Sequence, residues 1–190
     1  MTDIDAVLFD LDDTLVQYVR SPDEVLQRSY GRLDLAPLFP VEVYYDRYTE
    51  FADERDQSNV ELCPGAEQVL DTLHGDYRLA VVTNGAPDAQ RAKMESVGLD
   101  RWIETRVIAG HEISPKPNAE SFEIALDSLD ATPERAIKVG DSLETDIAGA
   151  NALGIASIWL STDADSADHD TTHRIERLDE LLALPSLSGR

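Results

Sequence analysis

Apolar and polar positions along the chain fall mostly into a strand-then-helix rhythm. Ile4 to Phe9 is a short unbroken apolar run suited to a strand buried on both faces. From Pro64 onward the alternation is regular. Ala66, Val69, Leu70 and Leu73 stand at i, i+3, i+4 and i+7, one face of a helix. Leu79 to Thr83 reads as a strand, and Pro87 to Val97 as a helix ended by Gly98. Arg106 to Ala109 reads as a strand, and Phe122, Ala125, Leu126 and Leu129 mark the next helical stripe. Ile137 to Val139 and Ala156 to Leu160 are further strands, flanking a helix over Glu144 to Leu153 that Gly154 closes. Ser161 to Thr172 is polar and Asp-rich, an expected exposed loop, before a last helix near Leu178 to Leu184.

Strands alternating with helices predict an α/β fold with a parallel sheet covered on both faces. One interruption breaks the rhythm. Residues 16–63 hold a helix start at Ser21-Pro22-Asp23-Glu24 and a longer helix around Val41 to Asp56. The longer helix carries Val41, Tyr44, Tyr45, Tyr48, Phe51 and Ala52 on one stripe, expected to pack as helix core. The chain therefore divides into a core of residues 1–15 and 64–190 and a helical insertion over 16–63.

Charge changes the picture next. Thirty-eight acidic against sixteen basic residues leave a net charge of −22 over 190 residues. Such a field repels nucleic acid and anionic lipid, so neither is an expected partner, and an anionic substrate needs a cation in its site. This net charge is far beyond the magnitude of about 2–8 that solubility asks of a small domain. The only lysines are Lys93, Lys116 and Lys138. Acidic excess with sparse lysine suggests a cytoplasm of high salt, where charge is screened within ~3 Å at 1 M. A single cysteine, Cys63, fits a reducing cytoplasm, and no run of about 18 apolar residues offers a membrane span. A cytoplasmic location is expected. Oligomeric state is not legible.

In an open α/β sheet, ligands bind beyond the carboxyl ends of the strands. Four segments stand there. Asp10-Leu11-Asp12-Asp13-Thr14 follows the first strand and puts Asp10 and Asp12 on one side as the chain leaves the sheet. Two such carboxylates repel unless a cation or shared proton intervenes, and one could attack an electrophile while the other moves protons. Thr83-Asn84-Gly85 offers a hydroxyl and backbone N–H groups near a helix start, a small anion cradle. Pro115-Lys116-Pro117 confines a lysine between two prolines. Lys138 competes with it but lies mid-strand, while Lys93, within a helix, is expected on the surface. Gly140-Asp141-Ser142-Leu143-Glu144-Thr145-Asp146 opens a helix with Asp141, a hard oxygen donor of the kind Mg²⁺ takes. Each segment also suits an acidic turn, an ordinary N-cap or a capped helix start. Their order at successive strand ends is the specific signal.

With FDLDDTL, VVTNG, SPKP and VGDSLETD in that order, the chain resembles the haloacid dehalogenase (HAD) superfamily, in its phosphatase branch with a small helical cap, similar to phosphoglycolate phosphatase. The resemblance implies a Rossmann-like three-layer α/β/α core with the cap inserted between the first two motifs. It implies that Asp10 attacks phosphorus to form an aspartyl-phosphate and that Asp12 protonates the leaving alcohol and then activates water. Asp10, the backbone carbonyl of Asp12, and Asp141 would hold Mg²⁺, with Asp146 supporting the metal shell. Thr83, the Asn84 N–H and Lys116 would hold phosphoryl oxygens. Haloacid dehalogenases resemble this chain but lack an aspartate two residues after the nucleophile, because a halide needs no proton. Asp12 therefore favours hydrolysis of a small phosphate monoester. Arg20, Arg28, Arg32, Arg47 and Arg55 are candidate substrate contacts in the insertion, though surface ion pairing suits each of them too.

Two rivals accompany this reading: a phosphomutase of the same superfamily, and a non-catalytic acidic binding protein on the same scaffold. The binding protein should have lost Asp10, Asp12, Lys116 or Asp141, and all four are present.

Overall fold

The apolar run after Ile4 becomes the central strand β1 (Ala6–Phe9). A computed structural model describes residues 3–20, 58–162 and 170–187. The chain then forms β2 (Val16–Tyr18) and β3 (Val60–Leu62), an antiparallel ribbon with Val16 opposite Leu62. The two strands lie at the two ends of the segment expected as an insertion. The expected insertion helices, with Arg28, Arg32, Arg47 and Arg55, lie outside the described residues.

The remainder follows as α1 (Ala66–Leu73), β4 (Arg78–Asn84), α2 (Pro87–Ser96), β5 (Thr105–Ala109), α3 (Ala119–Ser128), β6 (Ala136–Gly140), α4 (Ala148–Leu153), β7 (Ala156–Leu160) and β8 (His173–Ile175). Six strands form one parallel sheet in the order β5-β4-β1-β6-β7-β8. From β1 the chain builds outward first through β4 and β5, then on the other side through β6, β7 and β8. Strand order thus reverses at β1, the place where an open α/β sheet leaves a crevice at its carboxyl edge.

Period-two alternation divides the core into two layers. Val7, Phe9, Leu79, Val81, Ile137 and Val139 face one side, over Val69, Leu70 and Leu73 of α1. Ala6, Leu8, Ala80 and Val82 face the other, over Phe122, Ala125 and Leu126 of α3. Both helices bury the stripes that their spacing predicts. The expected Rossmann-like α/β fold is therefore present. Among the described residues, no helix is long and apolar enough to cross a membrane.

Three elements differ from expectation. The segment after β7 contains an additional strand, β8, pairing Ile158 with His173 through Leu160 with Ile175. It has no alternating apolar signature, because an edge strand needs only Ile175 inward. The helix expected near Leu178 to Leu184 is a 3₁₀ helix, Leu178–Ala183, burying Leu178 and Leu181. The helix expected from Glu144 begins as a π-helical turn over Leu143–Ile147, with Thr145 N donating to Ser142 Oγ at 3.3 Å, before α4 continues it.

Candidate active site

All four sequence segments meet at the carboxyl edge of β1, β4 and β6. Asp10 leaves β1 with its N–H still donating to Val139 O of β6 at 2.9 Å, so the sheet itself holds the nucleophile candidate. Its side chain is buried and accepts a 2.5 Å hydrogen bond from Lys116 Nζ.

Lys116 is placed by its backbone. Its N–H donates to Asn84 Oδ1 at 2.8 Å, while Asn84 Nδ2 donates back to the Lys116 carbonyl at 3.1 Å. The end of β4 thereby clamps the Pro-Lys-Pro turn. The ammonium donates to Asp10 Oδ1, to Asp146 Oδ1 at 2.7 Å and to Val82 O at 2.9 Å, so its three hydrogens all go to protein oxygens. Burial pulls this lysine down, but the charges and hydrogen bonds of Asp10 and Asp146 outweigh it and hold the group above the ordinary lysine range.

Lys138 is also at the site, although it lies mid-strand. It occupies β6 opposite Leu8, on the side of the sheet where Ala136 packs, and is fully buried. Its Nζ lies 2.9 Å from Asp146 Oδ1, an ion pair without hydrogen-bond alignment. Burial lowers Lys138 below the lysine range. Asp146 receives both ammonium groups; burial alone would raise its carboxyl, but the two lysines bring it below the usual carboxylate range. This arrangement needs Gly140, because a Cβ there would fall on the Asp146 carboxyl group.

Asp141, next to Gly140, is positioned by its carbonyl, which accepts from Trp159 Nε1 at 2.8 Å. Among the described residues no lysine or arginine pairs with its carboxylate. Desolvation, then repulsion from Asp10 and Asp146, raises it to about 6. Burial and the Asp146 charge likewise raise Asp10. Asp10, Asp141 and Asp146 each offer a carboxylate oxygen, and all three atoms lie within 4.8 Å of one another. Hard oxygen donors, one of them, Asp141, without a cationic partner among the described residues, suit Mg²⁺. The carboxylate of Asp12 is not in this group.

Asp12 points elsewhere, and here the structure corrects the sequence reading. Lys93 is not on the surface. It is only 6% exposed, and its Nζ makes a 2.7 Å ion pair with Asp12 Oδ1. Gln90, 2% exposed, donates through the two Nε2 hydrogens to Asp12 Oδ2 and Thr83 Oγ1, each at 2.8 Å, with Asn84 O also within reach at 2.9 Å. Each of the two crowded aspartates thus has its own lysine, Lys116 for Asp10 and Lys93 for Asp12. Sequence reasoning missed Gln90 and Lys93, yet a signal exists. Positions 90, 93 and 94 form the buried i, i+3, i+4 stripe of α2, and two of them are polar where an inward face should be apolar.

A family model described as haloacid dehalogenase-like hydrolase matches residues 20–160. The chain is 31% identical over 156 residues to the ribulose-1,5-bisphosphate 5-phosphatase of Halopiger xanaduensis, a match covering 76% of this chain and 62% of that protein. It is 33% identical over 118 residues to the phosphoserine phosphatase of Thermus thermophilus, covering 60% of this chain and 47% of that one. The chain thus spans between about half and three-fifths of the length of these two curated relatives. Among solved structures it resembles a HAD phosphatase from Thermococcus onnurineus, with a TM-score of 0.72 at 21% identity over 95% of this chain and 97% of that one. At that identity the likeness speaks for the fold alone.

Proposed function

The chain belongs to the haloacid dehalogenase-like hydrolases, and from that premise we propose that it is a Mg²⁺-dependent phosphatase acting on a small phosphate monoester. The observation that carries this reading is the convergence of Asp10, Thr83, Lys116 and Asp141 from separate strand ends and one loop. The relatives named above support it, being phosphatases of ribulose-1,5-bisphosphate and of phosphoserine.

Asp10 Oδ1 is bonded to Lys116, which leaves the second carboxylate oxygen for attack on phosphorus. As the Asp10–phosphorus bond forms, the bond to the ester oxygen breaks and its electron pair stays on that oxygen. Asp12, entering as the acid, delivers its proton there. Water then attacks the aspartyl-phosphate, Asp12 takes the proton, and the Asp10 carboxylate is restored with release of phosphate. Thr83 and the Asn84 N–H would hold the phosphoryl oxygens, where negative charge spreads in the transition state, and the buried Lys116 ammonium, its hydrogens on protein oxygens, would act on them through its positive charge. Asp10, the Asp12 carbonyl and Asp141 would hold Mg²⁺, and Asp146, committed to two lysines, would support them. Bound there, the ion would supply positive charge that offsets the negative charge of the phosphoryl oxygens. The insertion over 16–63 is proposed as a cap that selects the ester and excludes water.

Phosphate release from a panel of phosphate esters in molar KCl, with Mg²⁺ or EDTA, tests the proposal. Release that requires Mg²⁺ and disappears in Asp10→Asn is the expected result. No release by folded protein overturns the phosphatase reading in favour of a mutase or a binding protein.

A further inference from the structure

The strongest feature outside the expected machinery is the inward face of α2. Gln90 and Lys93 stand one helical turn apart, so their side chains project together. Met94 beside them is fully buried in the core, which fixes the helix against the sheet. The Lys93 ammonium also lies 5.1 Å from the centroid of the Tyr18 ring in β2. Together they grip Asp12 by both oxygens, Lys93 on Oδ1 and Gln90 on Oδ2.

We propose that Lys93 and Gln90 are positioning residues that hold the Asp12 carboxyl group in the orientation needed to protonate the leaving alcohol. This rests on the phosphatase reading above. A carboxylate has about four lone-pair directions, and the two hydrogen bonds use one on each oxygen, so a direction remains free to carry the proton. Without the grip, the Asp12 side chain, itself 36% exposed, is free to rotate toward water. Proton transfer requires donor and acceptor within hydrogen-bond reach, and misplacement of about 1 Å can cost about 100-fold in rate. Gln90 also joins Asp12 to Thr83 through one nitrogen, so the acid and the phosphoryl-holding hydroxyl share a single anchor.

The consequence is selective. An alkyl phosphate expels a strongly basic alkoxide and depends on the acid. The 4-nitrophenolate of 4-nitrophenyl phosphate leaves with little protonation. The experiment measures kcat/KM for both esters, which reports events up to aspartyl-phosphate formation, using the alkyl ester that the unaltered protein hydrolyses best. Lys93→Met should lose about 100-fold on the alkyl ester and less than about 3-fold on the aryl ester. Lys93→Arg should restore much of the alkyl activity, and Gln90→Met should show the same skew more weakly. Because both rates are read on one sample, partial unfolding lowers them equally and leaves the ratio unchanged. Where Lys93→Met does not fold, the ratio in Gln90→Met decides. Equal losses on the two esters, or none on either, overturn the positioning role while the phosphatase reading stands. An unaltered protein that hydrolyses neither ester overturns both.

Discussion

Asp10, Asp146, Lys116 and Lys138 form a buried group of two negative and two positive charges, linked by contacts of 2.5 to 2.9 Å. Removing Lys116 unbalances it. At an effective dielectric of about 20, the 2.5 Å contact between Lys116 and Asp10 carries about 7 kcal/mol of gross attraction. Desolvation of the ions offsets most of that, so Lys116→Met is expected to destabilise by about 3–5 kcal/mol, the usual cost of orphaning a buried partner. The informative variant is the second one. Asp10 and Asp146 offer oxygens within 4.8 Å of each other, so their unrelieved repulsion at the same dielectric is at least about 3.5 kcal/mol. Adding Asp10→Asn to Lys116→Met leaves Asp146 with Lys138 and returns the group to neutrality. The double variant should therefore recover about 3 kcal/mol of the loss, although it has two substitutions instead of one. Urea unfolding followed by circular dichroism, in EDTA and constant KCl at pH 7.5, measures the unaltered protein and both variants. A double variant no more stable than Lys116→Met would refute the argument. In that case the hydrogen bonds of Lys116, including the one to Val82 O, would hold this group together in place of its charge balance.

Three further outcomes follow from the same geometry. Gly140→Ala places a methyl on the Asp146 carboxyl and should destabilise by about 1–3 kcal/mol, read by thermal melting; an unchanged melting temperature would mean that the close approach is not tight. Asp141 is raised to about 6, so in metal-free protein its contribution is fully present below about pH 4 and is lost as pH rises through 6. Mg²⁺ should therefore raise the melting temperature more at pH 7.5 than at pH 5, and an equal rise at both would dissociate Asp141 from the ion. The net charge of −22 repels itself at low ionic strength, so the melting temperature should climb between dilute and molar KCl, and a flat series would remove the high-salt interpretation.

What the sequence made legible is what short-range chemistry determines. The stripes of α1 and α3 lie within two helical turns, and β1 is a run that is apolar on both faces, so these elements and the α/β alternation read directly. The four segments bearing Asp10, Thr83, Lys116 and Asp141 read as well, because strand ends in a parallel sheet share one edge. The additional strand β8 did not, since what stabilises it is pairing with β7, and its own residues are mostly polar. Lys93 failed for a deeper reason. On local grounds a lysine in a polar helix belongs in water, and its burial is decided by Asp12, 81 positions earlier in the chain. The two aspartates after β1 announce a repulsion, but nothing near them says how it is relieved. The fold relieves it twice over, with one lysine brought from 106 positions away for Asp10 and another from α2 for Asp12. Keeping the pairs separate matters chemically. A single lysine shared between both carboxylates would tie the proposed nucleophile and the proposed acid to one charge, whereas two let Asp10 stay buried and Asp12 stay partly open to solvent beside its own ammonium.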